Sequence, residues 1–310
     1  MKKLPDETSH LSCGQQALWY LNQLEPDSTA YHLGICLELR GALDEQALVS
    51  AWTDIGMAHP QLRARFTLCE EGPCVSINSF HTPLRVGTNE IGGLFQVWRD
   101  FAARPFVLKN EAPVRALLLR GANGASHLLL CAHHLVADLW SSAIILRELS
   151  AGYKAHTSGR GARSVLRASM EYAEFTAVER RWLAGSEGQA AWDFWRRHFG
   201  GMKMDPILTQ SVGDEPGGEI EVGLDDGLAR LVRLVAREKA TTPYAVLLGC
   251  FARLLGEQTG RDELIIGTPA TIRDRAVLRN TVGYLVNAVP VRCQIGTRGK
   301  NMVSNVAANA

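Results

Sequence analysis

The sequence carries almost no net charge: 33 lysines and arginines against 32 acidic residues leave +1 over 310 residues. That balance supplies no basic field for a polyphosphate chain, so nucleic acid is not an expected partner. No uninterrupted apolar run approaches a membrane span, and no membrane association is expected. The N-terminus, Met1-Lys2-Lys3-Leu4-Pro5-Asp6-Glu7, turns acidic before any hydrophobic stretch and does not read as a signal peptide. No repeat of short period is visible. Cysteine is sparse and odd in number, seven in all. Cys69 and Cys74 are spaced for a pair, but they flank an expected hairpin, and no histidine or further cysteine completes a zinc set. Cys36, Cys131 and Cys250 lie inside apolar patterns and read as buried, reduced thiols of a cytoplasmic protein. What is present is ordinary globular composition, 46% apolar and 21% charged, in a chain long enough for two domains.

The pattern is mixed α/β. Ser12 reads as a helix cap before Gln15, Leu18, Trp19 and Leu21. Tyr31 to Arg40 alternates as a strand, Asp44 opens a second helix, and Pro60 ends it. Strands are expected over residues 62–68 and 74–78, and a hairpin over 114–120 and 127–132. A helix follows over 140–151. Residues 156–163 gather glycine and read as a linker; their arginines suit solvent better than a phosphate. Beyond it the pattern predicts helices over 170–183 and 189–198 and a strand over 219–224. Helices through Leu228–Val235 and 243–255 and a short strand at 264–267 complete it.

The hairpin delivers His133-His134-Leu135-Val136-Ala137-Asp138 to the mouth of a buried strand, just before a helix start. An imidazole titrates near neutrality and can accept or donate a proton, and a nearby acid can orient the ring or pin the turn. On those six residues alone, a satisfied core pair explains the pattern as well as chemistry does.

Six segments in order resemble the condensation domain of nonribosomal peptide synthetases. They are Ser12-Cys13-Gly14-Gln15-Gln16-Ala17-Leu18-Trp19; Leu62-Arg63-Ala64-Arg65-Phe66 after His59-Pro60; and the HHxxxD signature at His133 to Asp138. Tyr172-Ala173-Glu174-Phe175, Gly267-Thr268-Pro269 with Arg273, and Val282-Gly283-Tyr284-Leu285-Val286-Asn287 follow. The resemblance implies two chloramphenicol-acetyltransferase-like lobes set in a V with the histidine loop in the cleft, divided here as residues 1–175 and 176–310. It implies peptide-bond formation between an acyl thioester and an amine, each brought on the phosphopantetheine of a carrier protein. The expected partners are donor and acceptor carrier proteins and an adenylation domain of the same assembly line, with no cofactor or metal held by the chain itself.

On that analogy His134 is the catalytic residue, accepting the amine proton or orienting the amine. His133 and Asp138 are structural, with Arg63 as the expected partner of Asp138. Leu139, Trp140, Ser141 and Asn287 line the cleft. An amide satisfying local backbone explains Asn287 equally well.

Two departures stand out. Leu139 follows the aspartate where the family usually has glycine, which either narrows the approach to the backbone or points the side chain elsewhere. After Val291-Arg292-Cys293 the sequence runs Gly296-Thr297-Arg298-Gly299-Lys300-Asn301 to Ala310. Family members continue with a helix, further strands and a crossing segment, so the expectation is an incomplete second lobe with open sheet edges. Other readings of the same residues are a stand-alone acyltransferase using a free alcohol or amine, and a docking module without chemistry. An epimerisation domain shares HHxxxD, but nothing here identifies its second proton-transfer group.

Overall fold

A short strand, β1 (Thr8–His10), leads into helix α1 (Cys13–Leu24). In the computed structural model Ser12 Oγ accepts from the Gln15 amide at 3.1 Å, and Gln15 Oε1 accepts from the Ser12 amide at 3.3 Å. This reciprocal capping box satisfies donors that the first turn would otherwise leave orphaned. The structure describes residues 8–79, 81–88, 93–121, 125–159, 170–202, 220–273 and 275–295. Among them no helix is long and apolar enough to cross a membrane.

The next elements are β2 (His32–Leu39), α2 (Glu45–Ala58), β3 (Ala64–Cys69), β4 (Gly72–Ile77) and β5 (Leu84–Thr88). Then come α3 (Gly93–Ala103), β6 (Val114–Arg120), β7 (Ser126–His133) and α4 (Leu139–Thr157). A four-stranded sheet runs β2-β7-β6-β5, antiparallel except for the parallel β5–β6 pair, and a three-stranded sheet runs β1-β4-β3. Register in the larger sheet sets His32 opposite His133 and Val114 opposite Ala132. Its strands alternate. Leu118, Leu128 and Leu130 face Leu48, Trp52 and Ile55 of α2 and Ile144 and Leu149 of α4. Cys131 joins a second core with Leu11, Leu18, Phe66 and Val75. Each fully buried leucine contributes roughly 1.5–3 kcal/mol, so two filled faces fix the strand that carries the histidines.

The later elements are α5 (Tyr172–Ala184), α6 (Ser186–His198), α7 (Asp226–Glu238), α8 (Pro243–Thr259), β8 (Glu263–Thr271) and β9 (Val286–Gln294), the last two paired. The chain forms two compact units, Met1–Asp193 with Thr271–Val286, and Phe194–Ala270 with Asn287–Ala310. A single cut near residue 175 has no place for a segment that returns to the first unit. In that unit the returning Leu278 and Leu285 pack with Tyr172 and Phe175. The second unit has its own core of Leu248, Ala252, Leu264, Val291 and Cys293.

Several expectations need correction. Residues 220–225 are irregular rather than a strand. Cys36 and Cys250 are exposed, whereas Cys131 is buried. Cys36 sits on β2 between Ile35 and Leu37, and strand alternation turns those two inward and the thiol outward. The pairing that the spacing of Cys69 and Cys74 allowed is present, as a disulfide across the β3–β4 hairpin. Residues 160–163 of the expected linker, 122–124 of the hairpin turn and the segment after residue 295 lie outside the described residues.

Candidate active site

The site begins where β7 runs out of partners. His133 closes the ladder by donating its amide to Pro113 O at 2.9 Å, and the His134 amide donates to Tyr31 O at 2.8 Å. The two adjacent side chains then part. His133 is 2% exposed, its Nδ1 accepts from the Leu135 amide at 3.1 Å, and its ring meets Phe106 and His32 edge to face. Burial, with smaller contributions from His32 and His134, drives its pKa down to about 3, so it is a neutral packing residue.

His134 is only partly buried. Burial lowers its pKa too, while the Ala137 backbone and the Asp138 carboxylate push it back up. The imidazole is therefore neutral at pH 7 and able to accept a proton. Its Nδ1 is buried, and no described group meets hydrogen-bond geometry with it. Its ring stands edge to face against Tyr284, with centroids 5.2 Å apart.

Asp138 is fully buried and caps α4, its Oδ1 accepting from the Ser141 amide at 2.7 Å. Arg273 donates to both of its oxygens, at 2.9 and 3.0 Å, and the Leu285 amide donates to Oδ2 at 3.1 Å. Arg273 is held in turn by the carbonyls of Leu278 and Thr281, at 2.8 and 2.6 Å. With both oxygens occupied, the carboxylate pins the loop to the returning segment rather than orienting the imidazole. Ser141 completes this knot, its Oγ accepting from the Gly283 amide at 3.1 Å.

The expected partner of Asp138 was Arg63, and that is corrected here. Arg63 ends a 3₁₀ turn directly after α2 and donates to Gly56 O at 2.9 Å and to Asn78 O. A cation at a helix C-terminus is drawn to its unpaired carbonyls, and those lie within reach of Arg63. Among the other expected residues, Leu139 is 80% exposed, so its side chain points outward at the start of α4. Trp140 is exposed and donates from Nε1 to Arg279 O at 2.9 Å. Asn287 is exposed on β9 of the second unit.

Sequence reasoning missed Gln15 and Tyr284 as supports. Gln15 is fully buried and donates from Nε2 to Leu135 O at 2.8 Å and to Gln61 Oε1 at 3.1 Å, tying α1 to the histidine loop. A glutamine inside an apolar helical stripe was the available signal, since a buried amide must find partners.

The condensation-domain profile matches residues 6–309. The chain is a condensation domain. Phosphinothricin tripeptide synthetase PhsB of Streptomyces viridochromogenes is 31% identical over 309 residues, covering 94% of this chain and 25% of its own length. Malpinin synthetase of Mortierella alpina is 29% identical over 306 residues, covering 94% of this chain and 4% of that protein. The condensation domain thus spans a quarter or less of these curated relatives. The mixed α/β fold recurs in the first condensation domain of the calcium-dependent antibiotic synthetase, with TM-score 0.80, 24% identity, and coverage of 97% of this chain and 72% of that one. It recurs also in the X-domain from teicoplanin biosynthesis, with TM-score 0.86, 23% identity, and coverage of 100% and 71%. Condensation domains of nonribosomal peptide synthetases are acyltransferases that form peptide bonds.

Proposed function

We propose that this condensation domain joins an acyl thioester to an amine, each delivered on the phosphopantetheine of a carrier protein, with His134 as the catalytic residue. The amine nitrogen attacks the thioester carbon to give a tetrahedral intermediate. His134 accepts the proton that nitrogen must lose, the oxyanion of the intermediate re-forms the C=O bond as the C–S bond breaks, and the departing thiolate takes the proton back from the imidazolium. Holding amine and thioester together supplies the larger share of the rate, since effective molarities reach roughly 10⁵ M or more. General base catalysis adds about 10²–10⁴-fold.

The observation that carries the reading is the contrast between neighbouring imidazoles. His133 is sealed with a pKa near 3, whereas His134 is partly exposed, neutral, and not hydrogen-bonded through Nδ1 to a carboxylate. Donor and acceptor carrier proteins and an adenylation domain are the partners this chemistry needs.

The test mixes the protein with donor-loaded and acceptor-loaded carrier proteins and follows acyl transfer by intact-carrier mass. His134→Ala is expected to lower the rate about 10²–10⁴-fold, and unchanged transfer in that variant would sink the assignment. Because the base must be neutral, the rate should rise with pH through a pKa below 6.5, the ordinary imidazole value. Product from a free amine or alcohol with no acceptor carrier would replace this reading by a stand-alone acyltransferase. A docking module without chemistry draws support from the outward Leu139, and the absence of transfer from every loaded donor would favour it.

A further inference from the structure

Three of the sequence motifs have no part in the chemistry above, yet they meet in one place in the first unit. Tyr284, from the Val282–Asn287 segment, stands edge to face against the His134 ring, with centroids 5.2 Å apart. Gly14, from the opening motif, lies directly behind it: a Cβ on Gly14 would sit 2.6 Å from Tyr284 Cε1 and 2.8 Å from Cδ1. Those separations are shorter than real carbon contacts, so only a residue without a side chain leaves the tyrosine ring its present position. Tyr172, from the motif on α5, donates its hydroxyl to Tyr284 O at 2.8 Å, and that same hydroxyl is 2.8 Å from Ser12 Oγ. Next along the chain, the Leu285 amide is bound by Asp138. The tyrosine is therefore fixed through its carbonyl, its neighbour's amide and the space behind its ring.

His134 itself has few such restraints. Its backbone is held by Tyr31 O, but Nδ1 has no hydrogen-bond partner among the described residues, and both oxygens of Asp138 are occupied elsewhere. Beside the Ala137 backbone, which raises the His134 pKa, ring packing is what sets the imidazole plane. We propose that Tyr284 is the positioning residue for His134, its ring forming the wall that fixes the imidazole and the bare backbone of Gly14 forming the seat that ring requires. The proposal rests on the reading of His134 as the catalytic residue. It gives the opening motif and the α5 motif a shared purpose, to hold the wall in place.

The experiment compares Tyr284→Leu, Tyr284→Phe and Gly14→Ala with the parent protein by histidine ring ¹⁵N shifts and by carrier-to-carrier transfer. The titratable groups around His134 are Asp138, His133, Tyr31 and Tyr284, and only the last is altered. In Tyr284→Leu the His134 tautomer ratio should change and its titration should move up toward 6.5 as water reaches the ring. Turnover should fall roughly 10- to 100-fold, the scale expected of a misplaced reacting group, with little change in KM. Tyr284→Phe keeps the wall and should retain turnover within about twofold. Gly14→Ala should reproduce the His134 shifts of Tyr284→Leu, because the displaced ring leaves the same gap.

Unchanged His134 shifts in Tyr284→Leu overturn the proposal, and so does a Tyr284→Phe variant as damaged as Tyr284→Leu. The ring-shift measurement needs no turnover. Transfer that survives in His134→Ala therefore overturns the catalytic assignment separately from the contact between the two rings.

Discussion

At the end of β7, His133 and Asp138 are 2% and 0% exposed, and both carboxylate oxygens accept from named donors. On α7, Leu228, Leu231 and Leu234 are 45%, 53% and 52% exposed, and on α8 Leu247, Phe251 and Leu254 are similarly open. One region buries polar groups and satisfies them with directed bonds. The other presents apolar side chains at helical spacing to solvent. A buried ion depends on its particular partner, so loss of one group strands the other. An exposed leucine depends on nothing in particular, and the helix beneath it stands on its cap, Asp225 accepting from the Leu228 amide at 2.9 Å. Specificity is concentrated in the first region and nearly absent from the second.

The largest expected effect tests that concentration. Arg273→Ala leaves the Asp138 carboxylate buried without its cation and should cost about 3–5 kcal/mol in denaturant unfolding. A loss under about 1 kcal/mol would mean the loop stands on packing alone, as α7 does.

The next test is acidity. His133 has a folded pKa near 3 against an ordinary value of 6.5. The unfolded chain therefore binds the proton first. Stability should fall as pH drops from about 6.5 toward about 3, with a slope of up to about 1.4 kcal/mol per pH unit. His134, lowered in the same direction, adds to the loss. Unfolding midpoints at pH 7, 6 and 5 measure it. His133→Asn, which keeps an acceptor for the Leu135 amide, should flatten the slope.

Arg63→Ala removes two bonds to carbonyls but strands no carboxylate, so about 1–2 kcal/mol is expected. A cost equal to that of Arg273→Ala would erase the distinction between the two arginines. Leu231→Gln on α7 should change stability by less than about 0.5 kcal/mol. A larger loss by calorimetry would show that the open helix face is covered in solution.

Much of the fold was legible because it is local. Ser12 and Gln15 announce the cap of α1, Asp44 that of α2, and apolar alternation marks β6 and β7 as a hairpin feeding the histidine loop. β5 and α3 were not read. β5 is a five-residue parallel edge strand, and α3 has no fully buried side chain to reveal its inner face. In the site, His134 and Asp138 were legible from the signature, but the arginine that pairs with Asp138 was not. Arg63 and Arg273 are both plausible cations by type. The choice between them depends on which carbonyls each guanidinium meets first, and that is tertiary information. The partition of cysteines failed for a similar reason: Cys36 sits between two core residues on a strand, and only the strand's facing decides its exposure.

The returning segment also sets a clock. Asp138 and the Leu285 amide that binds it are separated by 147 residues of chain. At ~5–20 residues per second, a ribosome needs roughly 7–30 s to make that interval. For the first 135 of those residues, the nascent β7 loop holds a carboxylate whose cation, Arg273, has not been synthesised. The histidine site can therefore close only after residue 285 has been made, and until then the growing first unit keeps its most demanding charge in water.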